Sequence, residues 1–186
     1  MSKLENINLK SRIGLNFCIT VFMFLLFQIS IFPYLSWLSK QSVESISSQT
    51  VTTLVLFIFG MNLFAIIISL LFTGLVAYFF GVIFDANASK AMFIYIVSAS
   101  NLVVYFINLP LAVANFFNQS PNQVVLLNEP ILLFLNPLIY LSLYVFYKLL
   151  KKHTMLSQKI IIAYCFFFFV MKLAGIFVSQ MQLAFI

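Results

Sequence analysis

Residues 51–82 read VTTLVLFIFGMNLFAIIISLLFTGLVAYFFGV, a run of 32 positions with no charged side chain. A helix rises about 1.5 Å per residue, so this run is longer than the ~30 Å of hydrocarbon in a bilayer requires. Breaking it at Gly60-Met61-Asn62 would leave two halves of fewer than about 20 residues, with no polar turn between them. The expectation is one tilted helix that emerges from the membrane at one end.

Working outward, four more apolar runs reach spanning length: Gly14–Tyr34, Ala91–Ala114, Ile131–Tyr147 and Ile160–Leu183. Composition agrees, since 63% of the chain is hydrophobic, 8% is charged and 24 of 186 residues are phenylalanine. Such a chain is solvated by lipid. The expected fold is all-α, a single transmembrane domain over residues 1–186 built as a bundle of five transmembrane helices. The expected location is a cell membrane, multi-pass and of bacterial cytoplasmic type.

Charge sets the expected orientation. Lys3, Lys10 and Arg12 precede the first run, Lys90 lies between the second and third, and Lys148, Lys151, Lys152 and Lys159 lie between the fourth and fifth. The opposite side holds only Lys40, and Lys172 lies inside the fifth run. Positive residues near span ends resist translocation, which places the N-terminus in the cytoplasm and the C-terminus outside. The net charge of +6 therefore meets anionic headgroups, and nucleic acid is not an expected partner. The first run is too long for a signal peptide, and Tyr34-Leu-Ser-Trp37 offers no small-x-small cleavage site, so a retained anchor is expected.

Three polar residues fall deep in these runs. Asn62 lies ~16 Å from the outer start of its helix, and Asn101 and Lys172 lie ~15 Å and ~18 Å from the inner starts of theirs. A lysine at that depth costs about 2.5–3.5 kcal/mol on insertion scales, so it should face the bundle and find acceptors. The expectation is a midplane polar cluster of Lys172, Asn62 and Asn101. It acts either as hydrogen-bonded glue between helices or as a counter-charge for an anionic ligand. Ala65, Ser69, Thr73, Ala77 and Gly81 recur every fourth residue, a ridge of small side chains expected to pack against another helix or subunit.

Pro110 and Pro137 are expected to kink the third and fourth helices, Pro137 about one and a half turns in. Between them Asn115–Gln123 is rich in amides, and such a loop folds on the bundle or meets an external partner.

Chemistry is sparse. The four carboxylates, Glu5, Glu44, Asp85 and Glu129, are divided between loops on opposite faces, which argues against a metal site. There is no Cys-x-x-Cys, Gly-x-Ser-x-Gly, His-Glu-x-x-His or phosphate loop. His153, within Lys151-Lys-His-Thr154, reads as a solvated turn residue. Cys18 and Cys165 read as buried thiols, and a His153–Cys18 nucleophile pair is the one enzymatic arrangement left open. No cofactor, no catalytic residue and no enzyme activity are expected.

The turn Phe84-Asp-Ala-Asn-Ala-Ser-Lys90, the helix ending near Pro110, Leu135-Asn-Pro137 and the basic turn Tyr147-Lys-Leu-Leu-Lys-Lys-His153 follow one another in an order that resembles the Yip family (Ypt/Rab-interacting-protein-like), bacterial type. The resemblance covers roughly residues 70 to 180. It implies five spans with a cytoplasmic N-terminus and a non-enzymatic accessory role. Eukaryotic members resemble adaptors for small GTPases, but this chain lacks their long cytoplasmic arm with its Asp-Leu-Tyr-Gly-Pro motif. Bacterial members resemble accessory subunits of ABC exporters of peptides or toxins. The implied partners are the lipid bilayer and a subunit of a transport complex. A small-solute-binding membrane subunit of a vitamin transporter is the alternative from another class, and an immunity protein against a membrane-active peptide is a third reading.

Overall fold

Every regular element of the computed structural model is a helix among the described residues, which are 3–42, 47–118, 124–125 and 135–184. In chain order these are α1 (Lys3–Ser42), α2 (Ser48–Ile83), α3 (Lys90–Tyr105), α4 (Asn108–Phe117), α5 (Pro137–His153) and α6 (Gln158–Ala184). Three segments of the described residues are long and apolar enough to cross a membrane: Ile7–Leu38, Gln49–Ile83 and Lys90–Phe117.

Local chemistry explains where the helices begin and stop. α2 runs unbroken through Gly60-Met61-Asn62, so the 32-residue apolar run is one helix. It ends in a Schellman arrangement: the Ala86 N–H donates to the Gly81 carbonyl at 2.8 Å and the Asp85 N–H to that of Val82 at 3.3 Å. Asp85 takes the left-handed position there, with φ of 53°. Ser89 then caps α3, its Oγ accepting from the Met92 N–H at 3.3 Å.

Both proline expectations need correction in detail. The third apolar run is two helices, with Phe106 and Ile107 non-helical between them. In a continuous helix the Phe106 carbonyl would accept from residue 110, which as proline has no N–H; it accepts from Leu109 at 3.2 Å instead. Pro137 does not kink a helix that has already begun. Leu135 and Asn136 are non-helical, residues 131–134 lie outside the described residues, and Asn136 caps α5 by accepting from the Leu138 N–H at 3.0 Å. Pro137 thus occupies the first helical position, where a missing N–H breaks no bond. α1 also outruns its expected limits of Gly14 and Tyr34 at both ends, continuing through Pro33 to Ser42.

The chain forms two compact units. One comprises Met1–Phe17, Leu70–Val104 and Leu127–Ile186. Its core holds Ala77, Phe93, Ile96, Val97, Phe146, Leu150, Ile161, Tyr164 and Phe168. The Phe146 and Phe168 rings stack at 4.1 Å and 7°, joining α5 to α6 across the short connection 154–157. Phe93 is wholly buried and lies beside Tyr164, whose hydroxyl donates to the Ala77 carbonyl at 3.1 Å.

The second unit comprises Cys18–Ser69 and Tyr105–Leu126. Val51, Val55 and Phe59 form one stripe of α2 and pack on Phe32 and Leu35 of α1. Phe32 and Phe59 meet edge to face at 6.1 Å.

Candidate functional site

Lys172 and Asn101 meet inside the first unit. The Lys172 Nζ donates to the Asn101 Oδ1 at 2.7 Å, a charge-assisted bond between α6 and α3. The same ammonium lies 4.8 Å from the centroid of the Phe168 ring, one turn earlier on α6. Phe168 is itself fixed by its stack on Phe146. The charge is therefore held by an amide oxygen and an aromatic face. Among the described residues, no carboxylate is hydrogen-bonded to it.

Asn62, expected in the same cluster, belongs to the second unit, and its side chain is exposed. Depth along a helix axis does not fix the angle around it. Ala65 and Ser69 share that exposure. Among the other small residues of α2, Thr73 is half-buried, and Ala77 and Gly81 are buried.

The geometry of an α-helix explains this division. Steps of four residues advance about 40° beyond a full turn, so five residues at that spacing wind around the helix rather than down one side. The buried stripe follows alternating steps of four and three: Leu70, Gly74, Ala77 and Gly81. A side chain at Gly74 would place its Cβ 3.1 Å from the Ile94 Cα, and one at Gly81 would lie 2.5 Å from the Phe93 ring. These two glycines set how closely α2 and α3 approach. Gly74 lies off the four-residue spacing of Ala65 to Gly81 and on the mean helical period of 3.6 residues that links Leu70, Ala77 and Gly81.

Other polar residues are spent locally. The hydroxyls of Ser98, Ser100 and Ser142 donate to the carbonyls of Tyr95, Ile96 and Ile139 on their own helices, so buried serine serves as a small packing residue. Asn16 of α1 donates to the Ser98 Oγ at 3.2 Å. In the second unit the Asn115 amide clamps Val125 at two points: its Nδ2 donates to the carbonyl at 3.1 Å and its Oδ1 accepts from the N–H at 2.7 Å. The amide-rich segment is thus tied to α4 at its far end; residues 119–123 lie outside the described residues.

Of the two cysteines expected as buried thiols, Cys18, the candidate partner of His153, is instead exposed and belongs to the second unit, and Cys165 is half-buried. The His153 ring sits edge-on to Tyr95 at 6.1 Å.

No family model, no curated protein and no solved structure matches the chain.

Proposed function

We propose that this is a five-span membrane protein that works without chemistry of its own, as a partner or regulator of a membrane transport complex such as an ABC exporter of peptides or toxins. The observation that carries this reading is the exposed face of α2. Of the three candidate spans, Gln49–Ile83 is the least buried, 17% against 33% and 28%. Lipid can cover its apolar residues. Lipid cannot satisfy the Asn62 amide, which is exposed beside Ala65 and Ser69 on the same side of the helix. An amide so placed, flanked by small residues, suits a close helix–helix contact with a hydrogen bond from a second protein.

The order of spans and turns that resembles the bacterial Yip-type proteins supports a partner in transport. The eight basic residues on alternate loops support a cytoplasmic N-terminus and an external C-terminus. α5 and α6 supply the fourth and fifth spans in this reading.

Affinity purification from mild detergent tests it. The wild-type chain should bring down a transport subunit, and the Asn62→Leu/Ala65→Leu variant should lose that subunit while its own unfolding temperature stays unchanged. Recovery of the chain alone, with unaltered transport in a deletion strain, would refute the proposal.

A further inference from the structure

Positive charge in the first unit is concentrated where α5 turns into α6. From Lys148 to Lys159 the chain carries four lysines and His153 and no carboxylate, whereas in the α2–α3 turn Asp85 offsets Lys90.

Packing fixes which side chains of this connection face outward. Thr154 is buried, its Oγ1 donating to the Leu150 carbonyl at 2.6 Å, and Leu156 packs on the core. Between them Met155 is 85% exposed. Lys151 and Lys152 before it and Lys159 after it are exposed, while Lys148 lies over the Tyr144 ring at 5.3 Å from its centroid. The connection thus presents one apolar side chain flanked by three free ammonium groups.

Helix length sets the depth of that group. From the Asn136 cap, the 17 residues of α5 rise about 25 Å, less than the ~30 Å of hydrocarbon. A span shorter than the bilayer is accommodated by local thinning and by flanking lysines that reach out to the interface. In the five-span reading, on which this step rests, the connection therefore stays within the headgroup layer and does not project beyond it. There the thioether of Met155 is covered by acyl chains, and the ammonium groups stand level with lipid phosphates.

We infer that the α5–α6 connection docks anionic phospholipid, with Met155 entering the acyl boundary and Lys151, Lys152 and Lys159 holding the headgroup. Lipid selection belongs to this turn and not to the α2–α3 turn, whose charges cancel.

The test uses the full chain in nanodiscs, with Cys18→Ser/Cys165→Ser wherever a single cysteine is needed. Bimane on Met155→Cys should be quenched by a phospholipid carrying a nitroxide high on its acyl chain. Native mass spectrometry should find phosphatidylglycerol retained over phosphatidylcholine. Lys151→Gln/Lys152→Gln should reduce that preference by roughly tenfold or more, since each lysine at an anionic surface contributes about fivefold. Lys90→Gln should leave it unchanged. Every side chain altered here other than the two cysteines is exposed, so these changes leave the packing of the first unit intact.

Equal retention of the two lipids overturns the inference. An equal loss in Lys90→Gln does so as well, since surface charge in general would then be responsible. A cysteine at Gln158, the exposed first residue of α6, separates the lipid site from the threading it assumes. Labelling of Gln158→Cys from the outer side overturns both, and labelling from the inner side with an unquenched bimane at Met155→Cys overturns the lipid site alone.

Discussion

Lys172 shows how one side chain separates glue from function. Its ammonium and the Asn101 oxygen are unequal partners: removing the lysine leaves an amide, whereas removing the asparagine leaves a charge with only an aromatic face. Asn101→Leu should therefore destabilise the protein in detergent by about 1–3 kcal/mol, and Lys172→Met by less. Combining them should cost little more than Lys172→Met alone. A double-mutant cycle on unfolding in denaturant checks this, and additive losses would mean that the pair does not act as a unit. If Lys172 instead serves an anionic ligand, Lys172→Met should abolish activity while leaving stability unchanged or raised.

His153 gives a residue-scale prediction in pH. Burial, then Lys152, then Arg12 lower its pKa from the usual 6.5. The unfolded chain therefore takes up this proton first as pH falls. The contribution is fully present above the ordinary imidazole value and is lost on the acid side of it. The unfolding temperature of the wild type should drop between pH 7 and about pH 5, and the drop should be smaller in His153→Gln. Equal slopes in the two proteins would show that His153 does not titrate in this way.

At the scale of the elements, three glycines of α2 should respond differently to the same substitution. Gly81→Ala drives a methyl into the wholly buried Phe93 ring and should cost about 1–3 kcal/mol. Gly74→Ala meets the Ile94 backbone and should also destabilise. Gly60→Ala meets nothing within 4 Å and should gain up to about 1 kcal/mol of helix propensity. Asp85→Gly should also stabilise, by up to about 1–2 kcal/mol, because glycine takes the left-handed position without the penalty of a side chain. Thermal melts of the four variants should rank them in that order, with Gly81→Ala and Gly74→Ala below wild type and the other two above.

The same elements show what sequence can and cannot disclose. The unbroken α2 was legible because an apolar run without a turn has no other use in lipid. Pro110 announced the interruption before α4, since a missing N–H must be accommodated somewhere. Asn136-Pro137 was misplaced because apolar Ile131–Leu135 looks like helix, whereas the cap and the proline together mark a start. Counting depth brings Lys172 and Asn101 to one level. Only the turn of each helix about its axis decides which side chains meet, and this is why Asn62 could not be placed by the same count.

For the molecule as a whole, the account rests on how the chain threads the bilayer. In the proposed threading, alternation of basic and neutral loops would put Lys10, Asp85 and Lys159 on one face and Lys40 and Asn118 on the other. The exposed α2 face and the transport reading both take that arrangement as their frame. The direct measurement is labelling of single cysteines at these five positions, in a Cys18→Ser/Cys165→Ser background, with a membrane-impermeant maleimide. Lys40→Cys and Asn118→Cys should react in intact cells, while the other three should react only after the inner face is opened. Reaction of Asp85→Cys and Lys40→Cys from the same side would contradict the threading.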